Sequence, residues 1–180
     1  MRAVALLGKD GDAGRTRDAL ALRAHRLAEA IRAVVLGNWD EGVPAESEVL
    51  LMFAARAAHL NATIWPALAR GEDVICDRFV DASYAYQGAG RGLGAERIAV
   101  LEKLVLGELT PDRVLVLDIA PELGVQRIAE RGGNNRFDAE SLAFMQRVRA
   151  AYLAFNEATQ DCIAVRFKNH IDEVDNNDST

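Results

Sequence analysis

Short apolar runs recur along this chain, each followed by a stretch with helical periodicity, and that alternation limits the fold more than any other feature. The runs lie at 3–7, 33–36, 73–76, 114–118 and 163–167. Between them, Leu20, Leu27 and Ile31 share one side of a helical stretch, and 46–70 reads as a long helix with an irregularity near Pro66. Further helices are expected over much of 80–108, at 121–131 and at 141–157. Alternation of this kind predicts an α/β fold: a parallel five-stranded sheet flanked by helices on both faces, with right-handed crossovers. Ligands in such sheets bind beyond the carboxyl ends of the strands. Three features are expected there together: a glycine-rich stretch after the first strand, Asp77-Arg78 after the third, and Asp118 at the fourth. No repeat or linker interrupts the pattern, so residues 1–168 read as one domain, and the polar, acidic tail 169–180 is expected to fray.

Composition narrows the function classes. A chain of 180 residues, half of them apolar, can bury a sizeable core. A formal net charge of -6 disfavours general nucleic-acid binding, and no basic face or aromatic platform offsets it. The two cysteines, Cys76 and Cys162, sit in or at the end of apolar runs and read as buried free thiols rather than a disulfide framework. With neither a signal-peptide pattern nor a bilayer-length apolar run, the expectation is a soluble cytoplasmic protein.

The stretch Gly8-Lys9-Asp10-Gly11-Asp12-Ala13-Gly14-Arg15-Thr16 stands between a strand-like run and a helical one. Glycines at such a junction let backbone N–H groups converge on phosphate oxygens, and a helix N-terminus adds a positive end. The stretch approaches the phosphate-loop pattern G-x-x-x-x-G-K-[ST] but departs twice: Arg15 replaces lysine, and one extra residue separates Gly8 from Gly14. Arginine keeps the charge in a bulkier, planar form. An ordinary surface turn is the competing reading.

More specific segments lie in the middle of the chain. Leu50-Leu51-Met52-Phe53-Ala54-Ala55-Arg56-Ala57-Ala58-His59, then Pro66-Ala67-Leu68-Ala69-Arg70-Gly71, resembles the base-holding helix of thymidylate kinases. Asp77-Arg78-Phe79 and Ser83-Tyr84-Ala85-Tyr86-Gln87-Gly88-Ala89-Gly90-Arg91-Gly92 resemble that family's Asp-Arg signature and the segment after it. Arg131-Gly132-Gly133-Asn134-Asn135-Arg136-Phe137 is similar to its arginine-bearing lid, about residues 127–138. With the glycine stretch included, the resemblance covers about residues 1–167 and is to the bacterial or bacteriophage type.

The resemblance implies a P-loop nucleoside monophosphate kinase fold and transfer of phosphate from ATP to dTMP with Mg²⁺, in a homodimer. It implies that Gly8, Lys9, Asp10, Gly11, Asp12, Ala13, Gly14, Arg15, Thr16 and Arg17 hold the donor phosphates, with Thr16, Asp77 and Asp118 toward the metal. Asp10, Phe53, Arg56, Arg78, Ser83, Tyr86 and Gln87 are implied on the acceptor side, with Tyr86 against the sugar's 2′ position. Arg15, Asp77, Arg78, Arg131 and Arg136 are the implied catalytic set, and Arg127 and Arg17 are further candidates. Phosphoryl transfer asks mostly for position and positive charge, which suits an arginine-rich set. Bland alternatives stand beside each role. Phe53 and Arg56, three apart on a helix, also suit a core ring beside a surface cation. Asp77-Arg78 also suits a structural ion pair, Asp118 a strand-capping carboxylate, and the lid arginines a solvated helix face.

One departure bears on substrate. The family's Arg-Glu-Pro-Gly-Gly-Thr segment is missing, and Leu36 runs directly into Gly37-Asn38-Trp39-Asp40-Glu41-Gly42. That loss leaves two alternatives open: a kinase for a 5-modified deoxypyrimidine monophosphate in bacteriophage DNA synthesis, and a nucleotide-binding protein without turnover.

Overall fold

The computed structural model describes residues 2–7, 26–132, 135–158 and 162–166; residues 2–7, 131, 156–158 and 162–166 are described through their backbone alone. The element order is β1 (Arg2–Leu7), α1 (Arg26–Leu36), α2 (Ala45–His59), α3 (Trp65–Ala69), β2 (Val74–Asp77), α4 (Val80–Ser83), α5 (Ala95–Leu106), β3 (Arg113–Asp118), α6 (Pro121–Arg131), α7 (Leu142–Ala158) and β4 (Cys162–Arg166). Two wide π-helical turns, Leu60–Ile64 and Tyr84–Gly90, join α2 to α3 and extend α4. The first sits immediately before Pro66, which lacks a backbone N–H and whose ring would meet the carbonyl four residues back; widening the turn relieves both problems. The expected irregularity in the long helix is this turn.

Two expectations are corrected. Residues 33–36 are not a strand but the last turn of α1. A run of four apolar residues has no periodicity of its own, and here it continues the helical spacing of Leu27 and Ile31 and buries Val35. The sheet is mixed, not parallel, and has four strands among the described residues, in the order β2-β1-β3-β4. Strands β3 and β4 are parallel, from Val114 opposite Cys162 to Asp118 opposite Arg166. Strand β1 is antiparallel to both neighbours: Leu7 faces Val74 and Val4 faces Asp77 on one side, and Arg2 faces Leu117 on the other. Both ladders satisfy the backbone, and an apolar run carries no mark of its direction.

The reversal of β1 has a spatial consequence. Its last residue, Leu7, pairs with the first residue of β2, so the chain enters 8–16 at the end of the sheet opposite Asp77 and Asp118. The glycine stretch itself lies outside the described residues. Of the three strand-end features expected together, Asp77-Arg78 and Asp118 are described, each at the carboxyl end of its strand.

Burial alternates along the described strands. Val74 and Cys76 of β2 point inward, with Ile75 and Asp77 outward; Val114, Val116 and Asp118 of β3 are buried. One core cluster gathers Val49, Phe53, Leu60, Ile64, Phe79 and Ile98; a second gathers Tyr86, Val116, Phe144, Val148 and Tyr152. Each large side chain so buried contributes about 1.5–3 kcal/mol. Cys76 is a free, buried thiol, and burial pushes its pKa up to about 11. The Cys162 side chain lies outside the described residues. The second cluster requires a close approach: a Cβ on Gly90 would come within 2.7 Å of the Phe144 ring. No helix among the described residues is long and apolar enough to cross a membrane.

Candidate active site

The carboxyl ends of β2 and β3 open into a cavity of roughly 630 Å³. Asp77, Arg78, Tyr86 and Gln87 line one side, and Leu117, Ile119 and the start of α6 line the other. Arg32, Arg78, Arg127 and Arg149 reach it against the acids Asp77 and Asp138, so the cavity carries an excess of positive charge suited to an anionic ligand.

Arg78 is the strongest local signal. It is the only non-glycine among the described residues with positive φ, at 67°. That region is sparsely used by residues with a side chain, and an outlier of this kind at a strand end is a reason to look for function. Its guanidinium lies 4.9 Å from the centre of the Tyr86 ring. Tyr86 is held edge-on by Phe137, Phe144 and Tyr152, with centroids 6.0–6.5 Å away. The turn that carries Tyr86 and Gln87 is π-helical, which rotates both side chains relative to an α-helical continuation of α4.

Phe53 and Arg56 behave differently from expectation. Phe53 is 2% exposed, belongs to the core, and does not line the cavity. The Arg56 guanidinium stacks 4.7 Å over it, donating through Nη2 to the Phe79 carbonyl (2.9 Å) and to Ser83 Oγ (3.0 Å). Burial lowers the Arg56 pKa to about 10, against the attraction of Asp81. Ser83 is fully buried beneath it, and Arg56 Nη1 is buried with no acceptor among the described residues. Helical spacing correctly put ring and cation on one face, but that face packs inward.

Two further expected residues are committed elsewhere. Both Asp118 oxygens accept from Arg149, at 2.7 and 2.8 Å, and Asp118 is 2% exposed. The strand-end carboxylate is a buried ion-pair partner, because a buried carboxylate needs strong donors. Arg136 donates through Nε to the Val35 carbonyl (2.5 Å), and its Nη2 lies 2.6 Å from Glu48. It packs over Phe137 and anchors the 135–140 segment to the body of the protein. Arg131 ends α6, and its side chain lies outside the described residues, as do Gly8, Lys9, Asp10, Gly11, Asp12, Ala13, Gly14, Arg15, Thr16 and Arg17.

Several residues of the site were not expected. Glu48 is fully buried and accepts from Gln87 and Arg91. Asp81 is 2% exposed, and burial pushes its pKa up to about 6. Arg32 and Arg149 bring positive charge to the cavity. The signal for Glu48 was an acid directly before an apolar helical run; nothing local marks the other three.

With this geometry in place, comparisons with known proteins identify the family. Residues 23–177 match the thymidylate kinase family model, a match that begins after the glycine-rich stretch. Thymidylate kinases of Pseudomonas syringae pv. tomato and Pseudomonas putida are each 58% identical over 127 residues, covering 71% of this chain and 60% of theirs. That of Ectopseudomonas mendocina is 55% identical over the same extent. The chain therefore spans about 60% of the length of the curated relatives it matches. A match over most of the chain, joined to the Asp77-Arg78 strand end and its cavity, makes this chain a member of the thymidylate kinase family.

Proposed function

We propose that the protein transfers a phosphoryl group from ATP to dTMP, giving dTDP and ADP. The observation that carries this reading is Arg78, held in a strained backbone conformation at the mouth of a cationic cavity beside Tyr86 and Gln87. In this reading Arg78 clamps the acceptor phosphate, and Asp77, exposed at the cavity, orients the acceptor or holds Mg²⁺ through water. Arg127 and Arg131 supply charge from the lid side. Bound Mg²⁺ offsets the charge of the transferring group. Asp118 does not fit as a metal ligand while both its oxygens serve Arg149. A homodimer through α2 and α3 belongs to the same proposal, supported by the outward Leu50 and Trp65, 57% and 41% exposed. So does a cytoplasmic location, where such nucleotides are made. The test is ADP release, coupled to NADH oxidation, with dTMP, dUMP and 5-hydroxymethyl-dUMP as acceptors. The expected outcome is dTMP-dependent turnover; dTMP binding with no turnover defeats it.

A further inference from the structure

Gln87 is 1% exposed and lines the cavity, yet only one end of its amide is engaged. Its Nε2 donates to Glu48 Oε1 at 2.7 Å, in the interior. Its Oε1 is buried and has no hydrogen-bond partner among the described residues. Glu48 has no exposure at all, and its other oxygen lies 3.0 Å from Arg91 Nε and 2.6 Å from Arg136 Nη2. Arg91 in turn pairs with Glu140 at 2.5 Å. Two carboxylates and two guanidiniums form a cluster without net charge, and both guanidiniums reach Glu48.

We propose that Glu48 is a positioning residue that sets which end of the Gln87 amide is offered to a bound base, and so sets base preference. This rests on the nucleotide reading above. An ionised carboxylate only accepts hydrogen bonds, so the Gln87 amide cannot turn over without bringing two acceptors together. With Nε2 held, Oε1 is the atom left for the ligand, and it requires an N–H donor. The imide N–H of thymine or uracil supplies one. The corresponding ring nitrogen of cytosine bears no hydrogen and would leave two acceptors facing each other in a buried place, a mismatch with a large cost.

The side chain of Glu48→Gln has the same size but can donate as well as accept. The Gln87 amide can then rotate and offer Nε2 to the base. Calorimetric titration of the full chain with dTMP, dUMP and dCMP reads the result without requiring turnover. The wild-type protein is expected to favour dTMP and dUMP over dCMP by about tenfold or more. In Glu48→Gln, urea midpoint permitting, dTMP should bind more weakly and dCMP more tightly, so the ratio collapses. A purely structural role weakens all three ligands together and does not raise dCMP affinity. Gln87→Met is the second variant: it should lose the base preference with Glu48 intact, and Glu48→Gln added to it should leave the ratio where it is. A folded Glu48→Gln protein with the wild-type ratio, or a Gln87→Met protein that keeps the preference, overturns the proposal. Wild-type protein that binds none of the three overturns the nucleotide reading, and this inference with it.

Discussion

Two strands of one sheet end in aspartate, and the two aspartates have opposite fates. Asp77 closes β2 exposed at the cavity, next to a strained Arg78. Asp118 closes β3 buried, with both oxygens bound to Arg149. Residue type and place in the sheet are the same; what differs is burial and the two-point guanidinium contact made to Asp118. A buried carboxylate whose two oxygens both accept from one guanidinium is part of the scaffold, while an exposed one at a cavity mouth is placed to serve chemistry. Asp81 is an intermediate case, buried like Asp118 but without a cation bound to both oxygens, so its charged form is disfavoured.

The comparison can be broken experimentally at each member. The largest effect is expected at the open end: Arg78→Ala should lower kcat/KM for dTMP by about 10²–10³-fold, with little change in the urea midpoint. Equal loss of stability and activity would erase the distinction between the two strand ends. At the closed end, Arg149→Ala removes the two-point guanidinium contact from a buried carboxylate and should cost about 2–3 kcal/mol in urea unfolding, discounted because Arg149 is about one-third exposed. Asp118→Asn in the same background should recover part of that loss. For Asp81 the sign is set by its raised pKa. The folded protein binds the proton more tightly than the unfolded chain, so this group favours folding most at low pH. That contribution is lost as pH rises from the ordinary 3.8 through about 6, amounting to about 3 kcal/mol. Asp81→Asn should flatten the stability profile over that window; an unchanged profile means the carboxyl is hydrated after all. The smallest effect is expected from Gly90→Ala, which does not touch the aspartates and serves as a packing control. It should cost about 1–2 kcal/mol by pressing on Phe144, and leave base preference alone.

Much of the site was legible in the sequence because its signals are local. Asp77-Arg78 after an apolar run, Tyr86 and Gln87 in the following segment, and the lid glycines all belong to short motifs, and the cavity gathers most of them. What could not be read depends on partners distant in sequence. Arg136 was expected to face phosphate, but Glu48 claims it from α2. Phe53 and Arg56 were correctly put on one face, but nothing in their spacing says that the face packs on Phe79 and Ser83. The apolar residues at 33–36 suit a strand and a buried helix equally, and the flanking periodicity decided for the helix. Strand direction leaves no trace in composition, so the mixed sheet could not be read from alternation alone.

The reversed β1 also bears on the order in which the protein assembles. This strand lies in the middle of the sheet, yet its partners begin at Val74 and extend to Leu117. Translated before both neighbours, it must wait for them: at about 5–20 residues per second, β3 follows roughly 6–20 seconds later. Until β2 is made the backbone of β1 has no ladder on either side, and until β3 is made it has at most one; the sheet closes only through contacts of long sequence separation, which are slow to form. Strand β1 is therefore the element of the sheet most exposed to mispairing while the chain is being made.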